Sequence, residues 1–235
     1  KFGRVQIRRQ RADIVPSSTT AGCASRWSRS RTVPGRAGSV AAARAAGEIL
    51  RAGFGRAHDV QFKGPIDPVT EADRASEACI VALLGAATPG YGFLTEEDAS
   101  VAGQSDARWI IDPLDGTVNY APGYPHFAVS IALERRGELE LGVIYDPLRD
   151  ELFVARRGAG ATLNGRPIHV GSVSTLGGAV LSTGFPYDVW TSEHDNTAEW
   201  CYFLKRAQSL RVRELVLGKC TPKCFSTRDP RPRAG

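Results

Sequence analysis

The chain has no methionine in its 235 residues, no cysteine framework and no apolar run near the roughly 18 residues that a membrane-spanning helix requires. The missing apolar run makes it read as a non-membrane protein. The five cysteines, Cys23, Cys79, Cys201, Cys220 and Cys224, follow no paired spacing, so reduced thiols in a cytoplasmic setting are expected rather than disulfides. Cys220 and Cys224 form a lone C-x-x-x-C, too little to specify zinc. The N-terminal stretch lacks the apolar segment of a signal peptide, although its Arg- and Ser-rich, acid-poor character weakly matches an organelle transit peptide. Internal repeats and low-complexity tracts are missing too.

Positive charge is scarce where it would matter for nucleic acid. The net charge is +5, but residues 1–38 hold 9 basic and 1 acidic side chains and residues 211–235 hold 7 and 2. The remaining residues, 39–210, hold 14 basic and 22 acidic groups, a balance of −8. An acidic middle suits carboxylates that hold cations and argues against a phosphodiester-binding groove. Residues 1–38 and 213–235 also show no helical or strand periodicity. With the missing methionine, this leads us to expect basic arms that are disordered or not native, the first read from upstream of the true start and the second following a truncation or a shift of reading frame near residue 212. They flank a domain over 39–212.

What is present begins with Ser39, a candidate cap for an amphipathic helix over Val40–Leu50 with apolar positions 42, 46, 49 and 50. Thr70-Glu-Ala-Asp73 is a capping-box pattern, and apolar residues at 72, 75, 79, 80, 83 and 84 predict a second helix that Pro89-Gly90 ends. Phe93-Leu94 is a short strand candidate. Alternation through 127–133, 139–145 and 152–155, punctuated by Arg136-Gly137, Asp146-Pro147 and Asn164-Gly165, predicts an antiparallel meander. A strand over 177–184 and a third helix over Ser192–Leu210 complete an α+β reading.

The densest chemistry lies in Trp109-Ile-Ile-Asp-Pro-Leu-Asp-Gly-Thr-Val-Asn-Tyr120. Pro113 cannot donate to a sheet ladder, so the strand is expected to end at about Asp112, with Asp112 and Asp115 at its edge. Gly116 permits unusual torsions, and Thr117 can begin a helix whose first amides face an anion. Two carboxylates beside free amides suit a divalent cation bridging to a phosphate. An Asx turn followed by an ordinary pre-glycine turn explains this stretch alone equally well. The related D-x-D-G-T pattern of aspartyl-phosphate enzymes is excluded, because the residue two before Asp115 is Pro113. Glu96-Glu97-Asp98 is a second acidic cluster or a solvated loop. Asp73 is at least a capping residue, and Lys63 lies in a Gly-Pro loop.

Lys63 with D-P-V-T-E-A-D (67–73), T-E-E-D (95–98), W-I-I-D-P-L-D-G-T-V-N-Y (109–120) and P-H-F-A-V-S-I (125–131), followed by G-V-I-Y-D-P-L-R-D-E-L-F, R-G-A-G-A-T-L-N-G (157–165) and L-S-T-G-F-P (181–186), together resemble the inositol monophosphatase family of Mg²⁺-dependent, lithium-sensitive sugar phosphatases. The resemblance covers about residues 40–212 and implies a layered αβαβα fold whose C-terminal α/β part is largely missing here. It implies Glu96, Asp112, the Leu114 carbonyl and Asp115 as Mg²⁺ ligands with Glu97 in support. Gly116 and Thr117 amides would hold phosphate. Asp73 and Thr117, with Glu96, would orient a water for direct in-line hydrolysis without a phosphoenzyme. Lys63, Ser182, Thr183 and Gly184 would approach the substrate.

The same resemblance implies a homodimer and hydrolysis of inositol monophosphate, a small phosphorylated polyol. Fructose 1,6-bisphosphate, 3′-phosphoadenosine 5′-phosphate and histidinol phosphate are the alternatives within the family. Past residue 212 the family's W-D-x-A-A-G segment, with a further metal-binding aspartate, has no counterpart, so the chain is expected to be weakly active or inactive. A non-catalytic regulatory or RNA-binding protein is the rival class, and the acidic middle opposes it.

Overall fold

Small residues repeat along one face of residues 36–53, and that face is what folds them. The computed structural model describes residues 35–56, 61–64, 67–96, 100–185, 189–192 and 195–212. Helix α1 (Arg36–Gly53) buries Ala42, Ala43, Ala46, Gly47 and Leu50. It starts at Gly35, whose φ of +85° needs a glycine, and not at Ser39. Ser39 is fully buried inside the first turns, where its Oγ donates to the Arg36 carbonyl at 2.9 Å.

Strands β1 (Gln61–Gly64) and β2 (Asp67–Val69) form an antiparallel hairpin, so Lys63 stands in a strand where the sequence suggests a Gly-Pro loop. Helix α2 (Glu71–Ala87) then begins at Thr70, as the capping box predicts. The Thr70 hydroxyl accepts from the Ala72 amide at 3.2 Å, and the Asp73 carboxylate accepts from the Thr70 amide at 2.8 Å. Its buried face differs from the hydropathy pattern. Ala75 and Leu83 are exposed, whereas Asp73, Ser76 and Glu77 are buried beside Ala72, Ile80 and Leu84. Two of these polar residues have buried partners: Ser76 donates to the Pro113 carbonyl of the strand that α2 packs against, and Asp73 accepts from Thr70 and Thr117.

That sheet has seven strands in the order β3 (Gly92–Thr95), β4 (Ala107–Asp115), β5 (Ala128–Arg135), β6 (Glu138–Asp146), β7 (Glu151–Arg156), β8 (Gly160–Leu163) and β9 (Arg166–Ile168). Strands β3 and β4 are parallel, and β4 to β9 are antiparallel neighbours, the predicted meander among them. Positive φ at Arg136 and Gly137, and at Asn164 and Gly165, closes two of its turns. Alternation sorts the side chains into two layers. Trp109, Ile111, Val129, Ile131, Leu133, Leu141, Val143 and Tyr145 pack under α1 and α2, while Ala128, Ile144 and Ala155 form a cluster of their own with Phe153 and Ala161. Trp109 is fully buried, and its indole N–H donates to the Thr88 hydroxyl at 2.9 Å.

Two expectations change here. Strand β4 does not stop at Asp112 but continues to Asp115, because a bulge accommodates Pro113 without requiring its missing N–H. The third helix is shorter than its apolar spacing suggests: a one-turn helix α3 (Thr117–Tyr120) follows β4, and the predicted 192–210 helix is α4 (Thr197–Leu204) only. Residues 209–212 form strand β11 (Ser209–Val212), parallel to β10 (Val180–Thr183), because sheet pairing outcompetes helix continuation there. None of the residues of α4 is fully buried. Among the described residues no helix is long and apolar enough to cross a membrane, and Cys79 and Cys201 are free thiols.

Candidate active site at the sheet end

Parallel pairing sets the first carboxylates. The β3–β4 register runs Leu94 with Ile110 and Thr95 with Ile111, so Glu96 directly follows the carboxyl end of β3 while Asp112 is the next residue along β4, which continues to Asp115. Open sheets with parallel strands present ligand sites at such ends.

The bulge sets the next carboxylate. Against β5, Asp112 pairs with Ser130 and Asp115 with Ala128, three steps of chain on one strand against two on the other. In an unbroken strand, residues three apart face opposite sides. The extra residue at 113–114 restores the parity, so Asp112 and Asp115 share one face. It is the face of Ala128 and Ile144, opposite the helices, whereas the Leu114 side chain turns into the core beneath α2. Asp112 is 7% exposed, and a carboxylate withdrawn that far from water is stable only with compensating charge or donors.

From the helix side come Asp73 and Thr117. The Thr117 hydroxyl lies 2.9 Å from Asp73 Oδ1 and 3.0 Å from the Leu114 carbonyl, and its single proton can serve one at a time. Asp73 Oδ2 also accepts from the Thr70 hydroxyl at 2.6 Å. Burial raises the Asp73 carboxyl above its ordinary value, and the donors from Thr70 and Thr117 oppose that rise. Gly116 has φ +96°, a left-handed turn that bends the chain from β4 into α3. The Asn119, Tyr120 and Ala121 amides bond within that turn. Tyr120 anchors it, donating to the Leu50 carbonyl of α1 at 2.7 Å.

The other predicted residues are distributed as follows. Lys63 lies in β1, and β2 packs near α3, so the hairpin borders the site; the Lys63 side chain and all of Glu97 lie outside the described residues. Ser182 and Thr183 belong to the separate two-stranded sheet and line a cavity of about 220 Å³ with Asn196, Trp200 and Phe203. The Asn196 side-chain amide donates to the Gly184 carbonyl at 3.1 Å. Among the described residues no three His, Cys, Asp or Glu side chains converge as a ready-made metal cage. The donors at the sheet end nevertheless fit a hard cation in kind: the carboxylates of Glu96, Asp112 and Asp115 and the Leu114 carbonyl offer only oxygen. Ser76, whose Oγ donates to the Pro113 carbonyl at 2.8 Å, is a contributor that sequence reasoning missed. Its signal was positional, one helical turn after Asp73.

The profile of the inositol monophosphatase family matches residues 33–221. Among curated proteins, the chain is 48% identical to an inositol-1-monophosphatase of Rhizobium meliloti over 145 residues, 60% of this chain and 54% of that protein. It is 45% identical to the Nus factor SuhB of Pasteurella multocida over 152 residues, 63% of this chain and 57% of that one. The chain thus spans little more than half the length of these relatives. The crystal structure of extragenic suppressor protein suhB from Bartonella henselae superposes with a TM-score of 0.70 at 40% identity, covering 75% of this chain and 68% of that one. The inositol monophosphatase of Anabaena gives a TM-score of 0.66, also at 40% identity, over 75% and 65%.

Proposed function

Because the chain belongs to the inositol monophosphatase family, we propose that it acts as a Mg²⁺-dependent phosphomonoesterase, with inositol monophosphate as first-choice substrate. The observation that carries this reading is the β4 bulge, which gives Asp112 and Asp115 a common face directly before the Thr117–Asp73 pair. Glu96, Asp112, Asp115 and the Leu114 carbonyl would hold Mg²⁺, with Glu97 in support; bound there, the cation would offset phosphate charge and acidify water.

The chain's own groups direct the attack. When the Thr117 proton points to Asp73 Oδ1, the Thr117 lone pairs are left to accept a hydrogen from an incoming water. As the water attacks phosphorus and the P–O bond to the polyol breaks, the water's proton passes to Thr117 Oγ1 and the Thr117 proton to Asp73, while the departing polyol oxygen takes a proton from solvent. Burial favours that transfer, since it raises the proton affinity of the Asp73 carboxylate. Glu96, which directly follows the end of β3, would help to orient that water. The Gly116 and Thr117 amides, ahead of those consumed inside α3, would receive phosphate oxygens. Lys63, Ser182, Thr183 and Gly184 would border the polyol, the last three beside the cavity under α4.

Phosphate release from inositol 1-phosphate by the full chain, with and without Mg²⁺, tests the proposal; fructose 1,6-bisphosphate, 3′-phosphoadenosine 5′-phosphate and histidinol phosphate are run beside it. Mg²⁺-dependent release that Thr117→Val lowers by about 10²-fold or more is expected from loss of the proton path. Release that ignores Mg²⁺, or no release from any of the four, defeats it.

A further inference from the structure

The bulge that aligns the two aspartates has its own support. Pro113 has no N–H, and the register jump at 113–114 takes its carbonyl out of the regular ladder with β5. A buried carbonyl so displaced needs a donor. Ser76 supplies one, at 2.8 Å, from a fully buried position on α2. One turn earlier on the same helix, Asp73 holds Thr117 at 2.9 Å. Successive turns of α2 therefore grip the loop at both ends, residue 113 and residue 117, with Leu114 and Asp115 between them.

We infer that Ser76 is a positioning residue for the Asp112–Asp115 pair: by holding the Pro113 carbonyl it fixes the bulge whose extra residue puts both carboxylates on one face. The inference rests on the cation-site reading for its functional meaning, but its structural half can be measured separately. Ser76→Ala removes the donor and leaves the buried carbonyl without it. Ile80→Val is the control: Ile80 is fully buried on the same helix, and its shortening loosens packing without touching Pro113.

Two readouts on the full chain decide the matter. Amide hydrogen exchange over residues 112–117 should speed up about tenfold in Ser76→Ala, as expected for a lost buried hydrogen bond, and remain near wild type in Ile80→Val. Mn²⁺ affinity should fall about tenfold in Ser76→Ala and stay unchanged in Ile80→Val. Equal effects of the two substitutions, on exchange or on affinity, would reduce Ser76 to a packing residue and overturn the inference. If the wild-type chain binds no Mn²⁺, the cation-site reading fails, and the exchange comparison still decides whether Ser76 holds the bulge.

Discussion

Tyr120→Phe isolates one hydroxyl that ties the turn after β4 to α1. Tyr120 is fully buried, stacks edge-on against Phe127 at 4.8 Å, and donates to the Leu50 carbonyl at 2.7 Å. The ring contacts survive the substitution. The Leu50 carbonyl keeps the Phe54 amide at 2.9 Å, so it is not left bare. The loss should therefore sit near the net value of one hydrogen bond, about 1 kcal/mol, or about 2–4 °C in Tm for a chain of this size.

The pH dependence gives a sharper test. Burial, followed by the nearby charges of Glu71 and Asp73 against that of Arg56, pushes the Tyr120 hydroxyl up to about 12. An unfolded tyrosine ionises near 10, so the folded chain holds this proton more tightly. The hydroxyl's contribution is complete below about pH 10 and disappears as the pH climbs through about 12. Thermal melts of both proteins from pH 7 upward should show a constant gap that closes in that window. Tyr145, also raised by burial, titrates in both chains and cancels in the difference. A gap that is zero at pH 7, or that persists unchanged to pH 12, would show that this hydroxyl does not hold the turn.

Two further perturbations address the helix–sheet interface. A Cβ at Gly47 would stand 2.5 Å from the Tyr145 ring, which Asp150 holds by its hydroxyl and Arg44 covers from 5.0 Å, so it cannot move aside. Gly47→Ala should lower stability by about 1–3 kcal/mol through overpacking, more than the helix propensity gained; a raised Tm contradicts this. The Asp150 carboxyl is held below its ordinary value by the Arg44 guanidinium and then the Tyr145 hydroxyl, so its contribution is present above the usual carboxylate range and lost as acid titrates it. Asp150→Asn, which tolerates the φ of +51° there, should flatten that acid-dependent loss; parallel acid-unfolding curves would show the pair to be inert.

The parts of the fold that follow from local rules were legible in the sequence. Thr70 with Asp73 announced the α2 start, and Asn164-Gly165 marked a turn of the meander. What resisted were features decided by tertiary pairing. Hydropathy assigned Ala75 and Leu83 to the buried face of α2, because it cannot see that Ser76 has a carbonyl to satisfy across the helix–sheet contact. Pro113 read as a strand end because its missing N–H is a local fact, whereas the bulge that tolerates it depends on β5. Leu210 fitted a helical stripe until β10 offered a parallel partner. At the candidate site the residue types and the pairing of Asp112 with Asp115 at one strand edge were legible, but the bulge that gives them a common face was not, because by simple alternation residues three apart diverge.

The sharing of one cation by Asp112 and Asp115 is measured by a Mn²⁺ titration of the full chain followed by electron paramagnetic resonance, with Asp112→Asn and Asp115→Asn alongside. Oxygen-ligated Mn²⁺ that Mg²⁺ displaces, weakened at least about tenfold by either substitution, is the predicted result. Binding that only one of the two aspartates affects, or no binding at millimolar Mn²⁺, would contradict it.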